Sequence, residues 1–232
     1  MSKIAICALP GVYHEVDNKP CQDAVGKYKN GKYSSVVLCD GAGSVKNSEI
    51  ASTLVTERFP KYLCDNFEKL YCYDYEMFVA TLADYFEVLS KNSNVSLDCT
   101  LLAIVTCGDR DLIIHVGDGV IISEIENEYK VLSYPENGEE SNITYFLSSD
   151  NLKSHIRMHK TNANAYLLTS DGISNLLYDS TEIKKAVSIM FGWLKTADEQ
   201  ITENKMQNEF ERIFKQYTLD DISVALLNKE GQ

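Results

Sequence analysis

Apolar, β-like runs that close on an Asp-Gly pair recur three times in this 232-residue chain. They are SSVVLCDGAGS with Asp40-Gly41, LIIHVGDG with Asp118-Gly119, and AYLLTSDGIS with Asp171-Gly172. A fourth run inverts the order, with Asp220-Asp221 opening LDDISVALL. Taken singly, an Asp-Gly pair is ordinary turn chemistry, because Gly tolerates positive φ and Asp bonds its own backbone. Four such carboxylates backed by apolar strands imply more. Strands that end in carboxylates at one rim of a sheet build a cage of oxygen ligands, which suits Mg²⁺ or Mn²⁺ better than zinc.

The order of the patterns constrains the architecture. Strand-like runs at 4–9, 21–27 and 33–39 come first. Two helical periodicities follow, at 47–70 and 74–91, and Pro60 is expected to kink or split the first. Strands return at 99–106, 112–116, 120–125 and 129–132, with Gly108-Asp109 and Gly117–Gly119 read as hairpin turns. A polar loop at 133–142 precedes further strands at 155–159 and 165–169. Helices at 181–194 and 197–215 and a last strand at 222–227 complete the chain. This sequence of elements lacks a βαβ rhythm. It predicts an α+β fold of antiparallel sheets with helices packed outside, in one domain spanning 1–232.

Composition removes several functions. With 44% hydrophobic residues the chain can bury a large core, which excludes disorder. Its 34 acidic against 22 basic residues give a net charge of −12, and the four arginines are scattered, so no nucleic-acid footprint is present. Seven cysteines without a C-x-x-C pair predict free thiols in a reducing, cytoplasmic setting. No run is long enough for a membrane span, and no coiled-coil heptads predict an oligomer, so a monomer is expected.

Five segments then carry a resemblance: PCQDA (20–24), VVLCDGAGS (36–44), DCTLLAIV (98–105) with HVGDG (115–119), LLTSDGISNLL (167–177) and DDISVAL (220–226). In wording and order they resemble the metal-dependent, type 2C serine/threonine protein phosphatases, over about 11–227 and closest to a compact bacterial branch. The resemblance implies a four-layer α-β-β-α sandwich, two antiparallel sheets flanked by helices. It implies hydrolysis of phosphoserine and phosphothreonine at a binuclear Mg²⁺ or Mn²⁺ centre, with a weak third cation, and an opposing Ser/Thr kinase. By position, Asp40 would bridge both metals and the Gly41 carbonyl would ligate one. Asp171 and Asp220 would hold the other, and Asp118 would serve the third. Asp23 would act through metal-bound water, the nucleophile, which Asp40 and Asp23 would hold.

The chain also departs from the family pattern. Where many members place a phosphate-clamping Arg before the first Asp, only His14 and Lys19 stand here, as candidate phosphate-binding residues. Ala42 replaces a His that follows the first Asp-Gly in many members. Asn175 replaces an acidic residue, and Gln22 stands where some members carry Glu. Asp220-Asp221 replaces Asp-Asn, with Asp220 favoured as the ligand by position. The substrate flap is reduced to about 142–159, where Arg157 is a candidate to face substrate. His115 reads as a buried structural residue. The losses at Ala42 and before Asp23 keep a catalytically silent phosphoprotein-binding module open as an alternative. A small-molecule phosphomonoesterase is the other.

Overall fold

The computed structural model describes residues 2–136, 144–179 and 182–229. Ten strands form two five-stranded sheets among these residues, and every pairing is antiparallel. The first and last strands, β1 (Ser2–Leu9) and β10 (Ile222–Lys229), pair along their whole length, Ile4 opposite Leu227. With β9 (Ala165–Thr169), β6 (Val120–Ile125) and β7 (Glu128–Ser133) they form one sheet, in the order β1-β10-β9-β6-β7. The second sheet runs β2-β3-β4-β5-β8, from β2 (Ala24–Asn30), β3 (Tyr33–Cys39), β4 (Leu101–Cys107), β5 (Arg110–Val116) and β8 (Arg157–Thr161).

The unbroken apolar runs follow from burial on both faces. In β3, Val36 and Leu38 point between the sheets, where they meet Leu102, Ile104, Tyr166, Leu168 and Ala225. Val37 and Cys39 point the other way, into a second core under α2 (Ser48–Cys72) and α3 (Tyr75–Ser93). A third core lies on the outer face of the other sheet, beneath α5 (Asp171–Leu177), α6 (Lys185–Thr196) and α7 (Glu199–Arg212). A strand covered on both faces gains nothing from alternating apolar with polar residues, so its sequence reads as continuous hydrophobe. The result is a four-layer α-β-β-α sandwich.

Four local readings differ from the sequence-based expectation. Pro60 does not split α2, which is one helix of 25 residues. Proline removes the N–H that would bond the carbonyl of Thr56, four residues earlier. That carbonyl instead lies against β2, so close that a Cβ on Gly26 would sit 1.9 Å from it. Gly117–Gly119 is not a hairpin turn. It carries the chain from β5 in one sheet to β6 in the other, with Gly117 at φ 102°. Two short helices, α1 (Val12–Val16) and α4 (Leu152–His155), and α5 have no counterpart in the periodicity. The strand expected at 155–159 begins later, at Arg157, because α4 precedes it.

Candidate metal centre

The crossover between the sheets, the end of β3, the end of β9 and the start of β10 meet at one edge of the sandwich. There Asp40, Asp118 and Asp171 each offer a carboxylate oxygen within 4.8 Å of the others. They line a cleft of about 420 Å³, together with Gly41, Gln22, Thr144 and Asp220.

Local contacts hold each of these carboxylates in place. The Asp40 N–H donates to Thr100 Oγ1 at 3.0 Å, and the Thr100 N–H donates to the Asp40 carbonyl at 2.8 Å. The Gly41 N–H donates to the Gln22 carbonyl at 3.1 Å. A Cβ on Gly41 would come within 2.9 Å of both that carbonyl and Ser48 Oγ, so the approach needs glycine. Asp171 is the first residue of α5, and its neighbour Gly172 packs so tightly that a Cβ would lie 2.0 Å from the Asp221 carbonyl. Asp118 Oδ2 accepts a short bond from the Thr144 hydroxyl.

The adjacent pair Asp220-Asp221 divides its labour. Asp220 is exposed in the cleft. Asp221 is 3% exposed and its carboxylate is already occupied. Its Oδ1 accepts from the Gly11 N–H at 2.6 Å and meets His14 Nδ1 at 2.7 Å, while its Oδ2 accepts from the Gln22 N–H at 2.6 Å. Asp221 therefore ties α1 and the segment before Asp23 to the start of β10. Ser52 adds a bond to the Gln22 carbonyl, 2.6 Å, from α2.

Behind the cleft, Asp23 is 5% exposed, and neither of its carboxylate oxygens has a well-formed hydrogen bond. Burial pushes its pKa up to about 7, tempered by the nearby Ser223 and Ser170 hydroxyls. Burial also holds Asp40 well above the ordinary carboxylate range, and the charges of Asp23, Asp171, Asp118 and Asp220 push it the same way. Burial by the cleft walls, then the charges of Asp118 and Asp220, lift Asp171 to about 6, although the residue as a whole is exposed. Asp118 is raised by burial and partly relieved by Thr144. A cluster of oxygen-only donors that repel one another, with two orphaned buried oxygens behind it, fits hard divalent cations.

The phosphate-binding candidates sit elsewhere. Lys19 and His14 line an adjoining depression rather than the acidic cleft. Lys19 pairs with Asp17 at 2.9 Å, and His14 is held by Asp221. Arg157 does not line the cleft either. Its guanidinium donates to the carbonyls of Tyr134 and Gly117 and lies 3.4 Å from Glu136, so it pins the crossover loop. The remainder of the expected flap starts at Thr144, since residues 142 and 143 lie outside the described residues. His115 is fully buried against Ser133, as its pattern implied. The roles of Thr100, Thr144 and Ser52 carried no signal in the sequence, because each depends on a partner at least 26 residues away.

Residues 10–213 match the profile of the Protein phosphatase 2C family. The chain belongs to that family. Its members are serine/threonine protein phosphatases, which are hydrolases. Serine/threonine-protein phosphatase 3 of Escherichia coli (strain K12) is 24% identical over 188 residues, 75% of this chain and 74% of that protein. Among solved structures, the S. agalactiae serine/threonine phosphatase aligns with a TM-score of 0.68 at 17% identity, over 99% of this chain and 100% of that one. The catalytic domain of the serine/threonine protein phosphatase PstP, in complex with two manganese ions, aligns at 0.64 with 18% identity, over 98% and 97%. These neighbours share the sandwich of two sheets flanked by helices.

Proposed function

We propose that this protein phosphatase 2C chain is an active, single-domain enzyme that hydrolyses phosphoserine and phosphothreonine in phosphoproteins. The observation that carries the reading is the convergence of Asp40, Asp118 and Asp171 within 4.8 Å, with Asp220 in the same cleft. Asp40, the Gly41 carbonyl, Asp171 and Asp220 would hold two Mg²⁺ or Mn²⁺ ions. Asp118 would serve a weaker third, and Asp23 would act from behind. When bound, such cations supply a nucleophilic water of lowered pKa and offset charge building on the phosphoryl oxygens.

The chain's own residues fix the geometry this requires. Thr100 and Gln22 lock the Asp40-Gly41 turn, Thr144 orients the Asp118 carboxylate, and Asp221 holds the segment that carries Asp23. Positioning of this kind is what phosphoryl transfer asks of a protein. Ala42, buried at the cleft wall, has no proton to give, so metal-bound water or another group would have to protonate the leaving alkoxide.

Ala42 and the displaced Lys19 also favour a second reading, a phosphoprotein-binding module without turnover. No described helix is long and apolar enough to cross a membrane. We place the enzyme in the cytoplasm as a monomer opposed by a Ser/Thr kinase. Rates on a phosphothreonine peptide and a sugar phosphate, with Mn²⁺ and with EDTA, separate the readings. Metal-dependent release favouring the peptide supports a protein phosphatase. Release favouring the sugar phosphate makes it a small-molecule phosphomonoesterase. Tight phosphopeptide binding without release makes it a silent module.

A further inference from the structure

The acidic cleft has a neighbour with a different lining, in which two lysines and one glutamate replace the cluster of aspartates. A depression of about 390 Å³ shares Gln22, Gly43 and Ser44 with the cleft and continues past Pro20 and Val45 to His14. Pro20, Val45 and the aliphatic stems of Lys19 and Lys46 supply its apolar surface, beside polar groups from His14, Asn47 and Glu49. Beyond it stand large side chains in unusually open positions. Tyr13 is 65% exposed and Val16 75% on α1, while Tyr217 is 67% and Leu219 48% exposed on the segment leading to Asp220. These two segments form one surface. The Tyr13 N–H donates to the Leu219 carbonyl at 3.2 Å, and Lys215 pairs with Glu15. The surface is also rigidly coupled to the cleft, because Asp221 bonds both His14 and the Gln22 N–H.

An isolated exposed apolar residue needs no explanation, but a cluster bordering a polar site does. Aromatic side chains are the usual anchors of protein interfaces. We propose that this groove and the Tyr13–Tyr217 face are the docking surface for the substrate protein. They would take an apolar or aromatic side chain lying a few residues from the phosphorylated serine or threonine. The occupant is the substrate itself because the groove is continuous with the cleft through three shared lining residues. A phosphate seated among the aspartates delivers its flanking residues there. This inference rests on the phosphatase reading and adds a substrate class to it.

The test uses the full chain with Mn²⁺ and two phosphothreonine peptides that differ only in a leucine or a serine near the phosphate. A small aryl phosphate reports the chemistry alone. The expected result is a KM about tenfold lower for the leucine peptide, equivalent to about 1.4 kcal/mol. That preference should be lost in Val45→Ser and in the Tyr13→Ser/Tyr217→Ser pair, while kcat and aryl phosphate turnover stay unchanged. Equal KM values for the two peptides, or variants that keep the preference, would overturn the proposal. If neither the peptides nor aryl phosphate is hydrolysed, the phosphatase reading fails. Fluorescence anisotropy with phosphonate analogues of the same peptides then still decides the docking claim, equal affinities overturning it. Concentration-dependent dimerisation abolished by Tyr13→Ser/Tyr217→Ser would assign the face to a second copy of the chain and overturn it as well.

Discussion

Replacing Asp221 by alanine separates the structural from the metal-binding half of the Asp220-Asp221 pair. The Asp221 carboxylate, 3% exposed, takes hydrogen bonds from two backbone N–H groups and one histidine, all at 2.6–2.7 Å. Bonds to a charged group contribute about 1.5–3 kcal/mol each, and an orphaned buried donor costs about 1–3 kcal/mol. The three bonds share one anchor and are not additive, so the expected loss is about 3–6 kcal/mol. For a domain of this size each kcal/mol moves Tm by about 2–4 °C, which puts the metal-free variant about 10–20 °C below the parent. Asp221→Asn keeps the shape and one acceptor oxygen and should lose about half as much. Asp220→Ala should change the metal-free Tm far less than Asp221→Ala, since losing the 2.9 Å bond from the Asp221 N–H is offset by removing a charge that repels Asp40 and Asp171. That variant should instead lose Mn²⁺ affinity. Differential scanning calorimetry in EDTA, with Mn²⁺ titration calorimetry beside it, reads both. The reasoning is refuted if Asp221→Ala melts within about 2 °C of the parent in EDTA.

Other consequences are as direct. Gly172→Ala should lower both Tm and Mn²⁺ affinity, since its Cβ would meet the Asp221 carbonyl at 2.0 Å; parental values in calorimetry would contradict this. Asp23 and Asp171 titrate higher in the fold than the ordinary carboxylate value of 3.8, at about 7 and about 6. The metal-free fold therefore binds more protons than the unfolded chain between pH 4 and 7. The stability these groups contribute is complete below pH 4 and is lost as pH rises through 7. Cations need the deprotonated ligands, so the Tm gain from Mn²⁺ should be larger at pH 8 than at pH 5, and an equal gain would refute the assignment. Lys229→Met removes the 2.8 Å partner of fully buried Asp111, at the far end of β5 from Asp118. It should cost about 3–5 kcal/mol of stability, by urea titration, without changing kcat.

Much of the sandwich was legible because burial leaves a period in the sequence. The runs of β3, β5 and β9 are apolar on both faces and end where the chain turns away, so Asp40, Asp118 and Asp171 just beyond them could be placed at a rim. Topology was less legible. Gly117–Gly119 has the composition of a hairpin turn, yet it joins two sheets, and nothing local distinguishes a reversal within a sheet from a step between sheets. Asp171-Gly172 likewise read as a turn and is the first turn of a helix. The division between Asp220 and Asp221 lies in partners about 200 residues away, Gly11 and Gln22, which no spacing rule reaches. Arg157 was assigned towards substrate from its place in the flap, but its two terminal nitrogens donate to the Tyr134 and Gly117 carbonyls and its Nε lies 3.4 Å from Glu136. A sequence can name a cation without revealing what already satisfies it.

The most direct test of the central claim is phosphate release from a phosphothreonine peptide by the parent chain and by Asp171→Ala, each in millimolar Mn²⁺ and in EDTA. The account predicts turnover by the parent in Mn²⁺, none in EDTA, and a loss of at least about 100-fold in the folded variant, equivalent to about 2.7 kcal/mol of transition-state stabilisation. Turnover that survives EDTA or the loss of Asp171, or a folded, Mn²⁺-loaded parent that releases no phosphate, would contradict it.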